Sequence, residues 1–405
     1  MQISEHLVQT LRHTEGQPLP RVTLGAVSRD GSLHFAKHFG DPSSGDNAET
    51  NAVHWIASCT KLVTTIAVLQ CVERGQLKLD EDISSILPEW KDPKILTGFD
   101  EKNEAQFRPA KSFITLRQLL THSSGLAYPF MHPLFAKYNE IKKAPLIRQT
   151  VRAAFPAFLL FEPGDQWLYG PGLEWAGLMV EAVNGGMKLG EYMQKHIFDP
   201  LFITDVTFHL EQREDMRARK AKFWTRVGPE LQETESFWPD PVEDDIGGGG
   251  IYTTVTELLR LYRGFLQGKL LEPETMAEMV KPQLETRKGL ENPEVFDVGD
   301  RNATYNTIPS DVPVDFGLGG LLNLAPVPGG RASHSLTWSG YPNCYWWVDV
   351  ANGVAGVYLS QLAPTGDPKA VELLAEFEKS VYAAVSKSST ILYCSKHKCR
   401  RHADT

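Results

Sequence analysis

Cysteine is scarce in this chain, positive charge is outnumbered, and no apolar run is long. The 405 residues include five cysteines, an odd and scattered set. No disulfide framework is read from them, and reduced thiols in a cytosolic, cytoplasmic protein are expected. Lys and Arg total 41 against 50 Asp and Glu, a net charge of −9. A nucleic-acid binder needs a basic stripe, so no nucleic-acid partner is expected. No stretch is apolar for long enough to span a bilayer. The start, Met1-Gln2-Ile3-Ser4-Glu5-His6, lacks the basic region and apolar core of a secretory leader, so no membrane association is expected. Also missing are Gly-x-Ser-x-Gly, His-Glu-x-x-His, a Walker loop and Gly-x-Gly-x-x-Gly. His122 and His132 have no carboxylate at a suggestive spacing, so a Ser-His-Asp triad is not indicated. No cofactor is called for.

What is present is enough apolar material, 42% of residues with 22% charged, for a large core in two or three lobes. Residues 1–15 have the spacing of an amphipathic helix. Two strand-like runs, 22–28 and 33–39, flank Arg29-Asp30-Gly31-Ser32 and predict a hairpin. Residues 41–52 read as loop, and a buried helix follows from Ser58. Residues 92–114 read as loop, and 115–120 as a short helix capped by Ser112 or Thr115. Helical patterns recur at 145–161, 173–186 and 189–198. Thr256 is expected to cap a helix to about Gln267, and residues 273–280 form another. Residues 282–312 read as loop or lid. Strands are expected at 316–321, 333–338, 344–348 and 354–360, then a helix over 369–385. The fold class is therefore α/β, an antiparallel sheet flanked by helices. Residues 1–90 and 305–385 form a discontinuous sheet domain, and 91–304 a mainly helical lobe with loops. The tail, 386–405, contains Cys394, His397, Cys399 and His402, but their spacing fits a zinc finger poorly. A disordered basic tail is expected there, with no metal site.

The chemistry-bearing stretch is His54-Trp55-Ile56-Ala57-Ser58-Cys59-Thr60-Lys61. Ser58 and Lys61 are three apart and share one helical face. A serine hydroxyl needs a base within hydrogen-bond reach to act as a nucleophile, and a helix N-terminus tolerates negative charge on oxygen. The spacing alone also fits an ordinary first-turn serine, and Ser395 and Lys398 share it. Tyr169, in Trp167-Leu168-Tyr169-Gly170, is a candidate second base, since a nearby ammonium would stabilise its phenolate. In Trp338-Ser339-Gly340-Tyr341, an edge strand beside Ser58 could aim the Tyr341 N–H at the same point as the Ser58 N–H, giving two oxyanion donors. Gly340 would permit close approach of a substrate. Trp55, Trp167, Trp338, Trp346 and Trp347 suggest an aromatic-lined cleft. Cys59 is read as core.

Five motifs occur in order: Ser58-Cys59-Thr60-Lys61, Thr121-His122-Ser123-Ser124-Gly125-Leu126, Pro163-Gly164-Asp165-Gln166-Trp167-Leu168-Tyr169, Gly248-Gly249-Gly250-Ile251-Tyr252-Thr253-Thr254 and Trp338-Ser339-Gly340. Over roughly residues 5–385 the chain resembles class C β-lactamases and family VIII carboxylesterases, and within them the fungal lovastatin acyltransferase type. The resemblance implies a β-lactamase/transpeptidase-like fold with the active site between sheet and helical lobe. It implies catalysis by Ser58, Lys61 and Tyr169, an oxyanion site of the Ser58 and Tyr341 N–H groups, and substrate binding by Trp167, Trp338, Ser339 and Gly340. The family's Tyr-x-Asn is here Tyr169-Gly170-Pro171, and its Lys-Thr-Gly is Trp338-Ser339-Gly340. Both groups that grip a β-lactam are absent, which argues against true β-lactamase activity and resembles the esterase and acyltransferase branch. The expected function is a serine acyltransferase. It would move an acyl group from an ester or thioester donor, free or carrier-protein-bound, to a hydroxyl of an apolar natural-product-like acceptor. Alternatives are a carboxylesterase acting on small esters and a non-catalytic binding protein on the same fold.

Overall fold

A computed structural model describes residues 19–39, 51–144 and 148–400, with side chains of the last helix described as far as Ser386. Its centre is a seven-stranded sheet built from β1 (Val22–Ser28), β2 (His34–Phe39), β3 (Val314–Gly317), β4 (Gly320–Asn323), β5 (Leu336–Gly340), β6 (Cys344–Asp349) and β7 (Val354–Leu359). The order is β3-β4-β5-β6-β7-β1-β2, and every neighbouring pair is antiparallel. The two ends of the chain meet at the β1–β7 pair, where Gly25 lies opposite Val357. The five named helices are α1 (Thr60–Glu73), α2 (Leu116–Leu120), α3 (Gly172–Val183), α4 (Val255–Leu266) and α5 (Pro368–Arg400).

Side chains alternate across a strand, and here both faces are covered. Val22, Leu24, Ala26, Tyr345, Trp347 and Tyr358 pack with Leu373, Leu374 and Phe377 of α5, with Trp347 and Phe377 rings 5.6 Å apart. Val27, Trp346, Val348, Ala355 and Val357 enter the main core with α1 and α4. Two-sided burial explains why β6 and β7 read as unbroken apolar runs. Gly25 lets α4 approach β1 directly, since a Cβ there would lie 2.6 Å from Val255 Cγ2. Helix α1 is buried on all sides from Thr60 to Cys71, as expected of a helix without a polar face.

Several expectations need correction. Residues 316–321 are not one strand: the chain turns back between β3 and β4 at Leu318-Gly319, with Gly319 at φ 81°. The 92–114 segment contains a hairpin, Lys94–Phe99 with Ala105–Pro109. Its second strand is largely exposed and its first buries the adjacent Ile95 and Leu96, so no apolar alternation marks it. The 282–312 segment contains a helix, Val298–Tyr305, capped by Asp297. Of 145–161 only Val151–Ala154 is helical, ahead of Pro156, and 145–147 lie outside the described residues. The cap of α4 is Thr254, not Thr256, and that of α2 is Thr115, in a capping box with Gln118. A helix at Pro133–Lys142 and a hairpin of Phe223–Val227 with Glu230–Thr234 were not legible. Helix α5 continues past residue 385 into the segment expected as a disordered tail. The predicted helix at 1–15 and most of the loop at 41–52 lie outside the described residues. So do the side chains of Cys394, His397, Cys399 and His402. No helix of the described residues is long and apolar enough to cross a membrane.

A buried ion pair ties α5 to the segment before β5. Arg331 donates from Nε to Glu378 Oε1 at 2.8 Å and from Nη2 to Oε2 at 2.6 Å. Burial alone would raise the Glu378 carboxyl, but the Arg331 charge and hydrogen bonds prevail and hold it below its ordinary value. A carboxyl depressed on folding stabilises the native state above its unfolded pKa, roughly 4.3. That contribution is lost as pH falls through the lower folded value. Thermal melts should therefore show Glu378→Gln destabilised at neutral pH by about 3–5 kcal/mol, the cost of leaving Arg331 unpaired. The gap to wild type should narrow as pH is lowered below about 4.

Candidate active site

Strain sets the start of the site. Ala57 has φ 45°, a left-handed conformation costly for a residue with a Cβ and found mostly at functional positions. It turns the chain from the short strand His54–Trp55 into a 3-10 turn, Ala57–Cys59, that runs into α1. Ser58 thus stands at the head of α1, in the 3-10 turn. The end of β5 closes against this turn, because a Cβ on Gly340 would lie 2.3 Å from the Ile56 carbonyl oxygen. Only glycine permits that approach. Tyr341, directly after Gly340, is thereby brought beside the Ser58 turn.

Ser58, Lys61 and Tyr169 are brought together. Lys61 Nζ donates to Ser58 Oγ at 3.1 Å, and the Tyr169 hydroxyl donates to the same oxygen at 2.7 Å. The Lys61 ammonium also lies 5.0 Å from the centre of the Tyr169 ring, a favourable cation–π distance. Tyr169 is held in turn by Trp338, whose Nε1–H donates to its hydroxyl at 3.3 Å. Its backbone carbonyl accepts from the Tyr128 N–H at 3.2 Å.

Lys61 is 1% exposed and makes two further bonds that sequence reasoning missed. It donates to the Gly248 carbonyl at 2.6 Å and to the Tyr128 hydroxyl at 2.9 Å. Tyr128 donates onward to Glu174 Oε1 at 2.5 Å. Burial raises the Glu174 carboxyl, opposed by the nearby Lys61 charge. Burial, with Glu174 beside it, likewise pushes the Tyr128 hydroxyl up, so it stays protonated. His122, at φ 56°, has its ring 4.8 Å from that of Tyr169 and accepts from the Gly170 N–H at 3.4 Å. Burial and then the Lys61 charge hold its imidazole well below the ordinary range, so it is neutral. The signal for Glu174 was in the sequence: a lone carboxylate inside Leu173-Glu174-Trp175-Ala176-Gly177-Leu178.

Other expected residues are placed less directly. Trp167 is 2% exposed and packs against His122, Phe316 and Trp338 behind Tyr169. Trp55, Trp346 and Trp347 are equally buried, so these rings form core and the aromatic lining expected from them is absent. Ser339 and Gly340 are the last two residues of β5, and Gly340 abuts the Ile56 carbonyl just before the Ser58 turn. Beside the site, exposed rings are Phe130, stacked 5.4 Å from Tyr128, and Phe237, 4.8 Å from the half-buried Tyr341. Cys59 is buried core, as expected. Among the described residues no cluster of His, Cys, Asp or Glu could hold a metal ion.

A serine at a helix head with a lysine and a tyrosine within hydrogen-bond reach, able to take its proton, is suited to nucleophilic attack on a carbonyl. A family model described as Beta-lactamase matches residues 23–379. Monacolin J acid methylbutanoyltransferase of Aspergillus terreus is 37% identical over 386 residues, covering 91% of this chain and 93% of that protein. Lovastatin esterase of Penicillium rubens is 38% identical over 355 residues, covering 82% and 86%. Among solved structures, a mutant of simvastatin synthase from Aspergillus terreus aligns with a TM-score of 0.85 at 33% identity, covering 94% of this chain and 95% of that one. The fold is β-lactamase/transpeptidase-like. The chain belongs to the beta-lactamase family and is an enzyme of its acyltransferase and esterase branch.

Proposed function

We propose that this enzyme carries an acyl group on Ser58 from an ester or thioester donor to a hydroxyl of an apolar, polyketide-like acceptor. The observation that carries the reading is the convergence of Lys61 Nζ and the Tyr169 hydroxyl on Ser58 Oγ. Ser58 Oγ attacks the donor carbonyl as its proton passes to the Tyr169 oxygen, which acts as the base once its own proton has left, its charge stabilised by the Lys61 ammonium beside it. The oxyanion is received by the Ser58 and Tyr341 N–H groups. Collapse breaks the donor C–O or C–S bond, and the leaving group takes the proton. The acceptor hydroxyl then attacks the acyl-serine, its proton returning to Ser58 through the same pair.

Four features support transfer to an apolar alcohol over β-lactam chemistry. Position 171 is Pro, and position 338 is Trp, whose ring N–H is engaged by Tyr169 where the family motif has a cation. Phe130 and Phe237 present exposed rings beside Tyr128 and Tyr341, suited to an apolar ring system. The 37% identical relative is a methylbutanoyltransferase acting on monacolin J acid. The donor in this reading is an ester or a thioester, free or on a carrier protein. The setting is cytosolic, in keeping with free thiols at Cys59, Cys71 and Cys344. Hydrolysis is the second reading, favoured by the likeness to a lovastatin esterase.

Partitioning decides between them. With a short-chain acyl thioester as donor, a monacolin-type alcohol should yield mainly the new ester, and free acid should fall as the alcohol is raised. Acid formation unaffected by the alcohol would favour the esterase. Tyr169→Phe should lower kcat/KM by about 10²–10⁴-fold, the range for a positioned proton-transfer group, with the melting temperature unchanged. Equal rates in both proteins would remove Tyr169 from the mechanism.

A further inference from the structure

We propose that Glu174 is a positioning residue for acyl transfer: through the Tyr128 hydroxyl it supplies the buried counter-charge that holds Lys61 as an ammonium aimed at Ser58 Oγ. The proposal rests on the reading of Ser58 as nucleophile given above.

Tyr128 has one hydroxyl proton, and it is directed to Glu174 Oε1 at 2.5 Å. Its oxygen is therefore an acceptor toward Lys61 Nζ, 2.9 Å away. Lys61 donates to that oxygen, to the Gly248 carbonyl and to Ser58 Oγ. Three donated bonds need three N–H groups, which only the ammonium has. A buried cation requires a nearby anion, and Glu174 is a buried carboxyl within reach of its field. Glu174 Oε2 is buried and has no protein hydrogen-bond partner among the described residues. A proton on that oxygen would thus be a donor without an acceptor, which favours the ionised carboxylate.

Packing makes these groups one unit. A Cβ on Gly248 would lie 2.2 Å from Glu174 Cδ. The missing side chain lets the carboxylate sit directly beneath the residue whose carbonyl binds Lys61. The flanking residues of α3, Leu173, Trp175, Ala176 and Leu178, are buried and apolar, so an unbalanced carboxylate there is strongly disfavoured. The ionisable groups facing Glu174 and its partners are Lys61 from α1, Tyr128 from the loop after α2, and Tyr169 before α3. Neutral His122 sits beside Tyr169.

The test is Glu174→Gln, which keeps size and removes charge. With a p-nitrophenyl acyl ester, kcat/KM should fall about 10²-fold, the cost of a misplaced reacting group. Both limbs of its pH profile should move to lower pH, because losing a buried negative charge favours the deprotonated form of every neighbour. Glu174→Asp should restore part of the rate and move the limbs back. Tyr128→Phe should lose as much as Glu174→Gln, and the double variant no more than either, the signature of one coupled unit. A wild-type rate in Glu174→Gln would overturn the proposal. So would a lower rate with unshifted limbs and a lowered melting temperature, which marks a structural role only. A wild-type enzyme whose turnover survives Ser58→Ala would instead remove the reading beneath it.

Discussion

A lysine ammonium buried at the head of a helix persists only where oxygen acceptors surround it. Lys61 finds them on three separate parts of the chain: Ser58 in the preceding turn, Tyr128 after α2 and the Gly248 carbonyl before α4. Much of the architecture serves that convergence. Thr64 Oγ1 donates to the Gly247 carbonyl and Thr60 Oγ1 accepts from the Ile251 N–H, so the glycine-rich turn is fastened along α1. Trp55 Nε1–H closes the other side on the Gly249 carbonyl. The turn is Gly-rich because a helix, a carboxylate and two aromatic rings approach its backbone too closely for side chains.

The sheet provides the rigid side of the cleft. Its strands come from both ends of the chain, and β5 ends against the strained turn at Ala57. That contact joins the sheet to the nucleophile segment with no flexible element between. The middle of the chain supplies Tyr128, Tyr169 and Glu174, held by backbone bonds such as that from the Leu168 N–H to the His122 carbonyl. A lysine and a tyrosine fixed around one serine oxygen do not need to reorganise when its proton is transferred. Phe130 and Phe237 lie outside that array, exposed beside Tyr128 and Tyr341.

The hairpin β1–β2, the helix after Ser58 and strands β6 and β7 were legible because Asp30-Gly31 and long apolar runs mark them unambiguously. The serine, lysine and tyrosine were legible through motif spacing. Tyr128 and Glu174 were not read, since neither lies in a motif; the lone carboxylate in an apolar helix marked Glu174, but its partners are set only when α3 packs beside α1. The hairpin at residues 94–109 escaped because its buried residues, Ile95 and Leu96, are adjacent and its second strand is exposed, so no period-two pattern marks it. The tryptophans misled for the opposite reason: large rings near site motifs look like a cleft lining, yet Trp167, Trp346 and Trp347 are interior packing. Trp338 alone touches the site, and it does so through its ring N–H on Tyr169.

The central claim is that Ser58, activated by Lys61 and Tyr169, carries the acyl group. Intact-protein mass spectrometry after brief exposure to a p-nitrophenyl acyl ester tests it directly, with Ser58→Ala beside the wild type. The account predicts one acyl adduct on the wild type, mapping to the peptide that contains Ser58, and none on the variant. Turnover with no adduct on Ser58, or an equal adduct on Ser58→Ala, would contradict it.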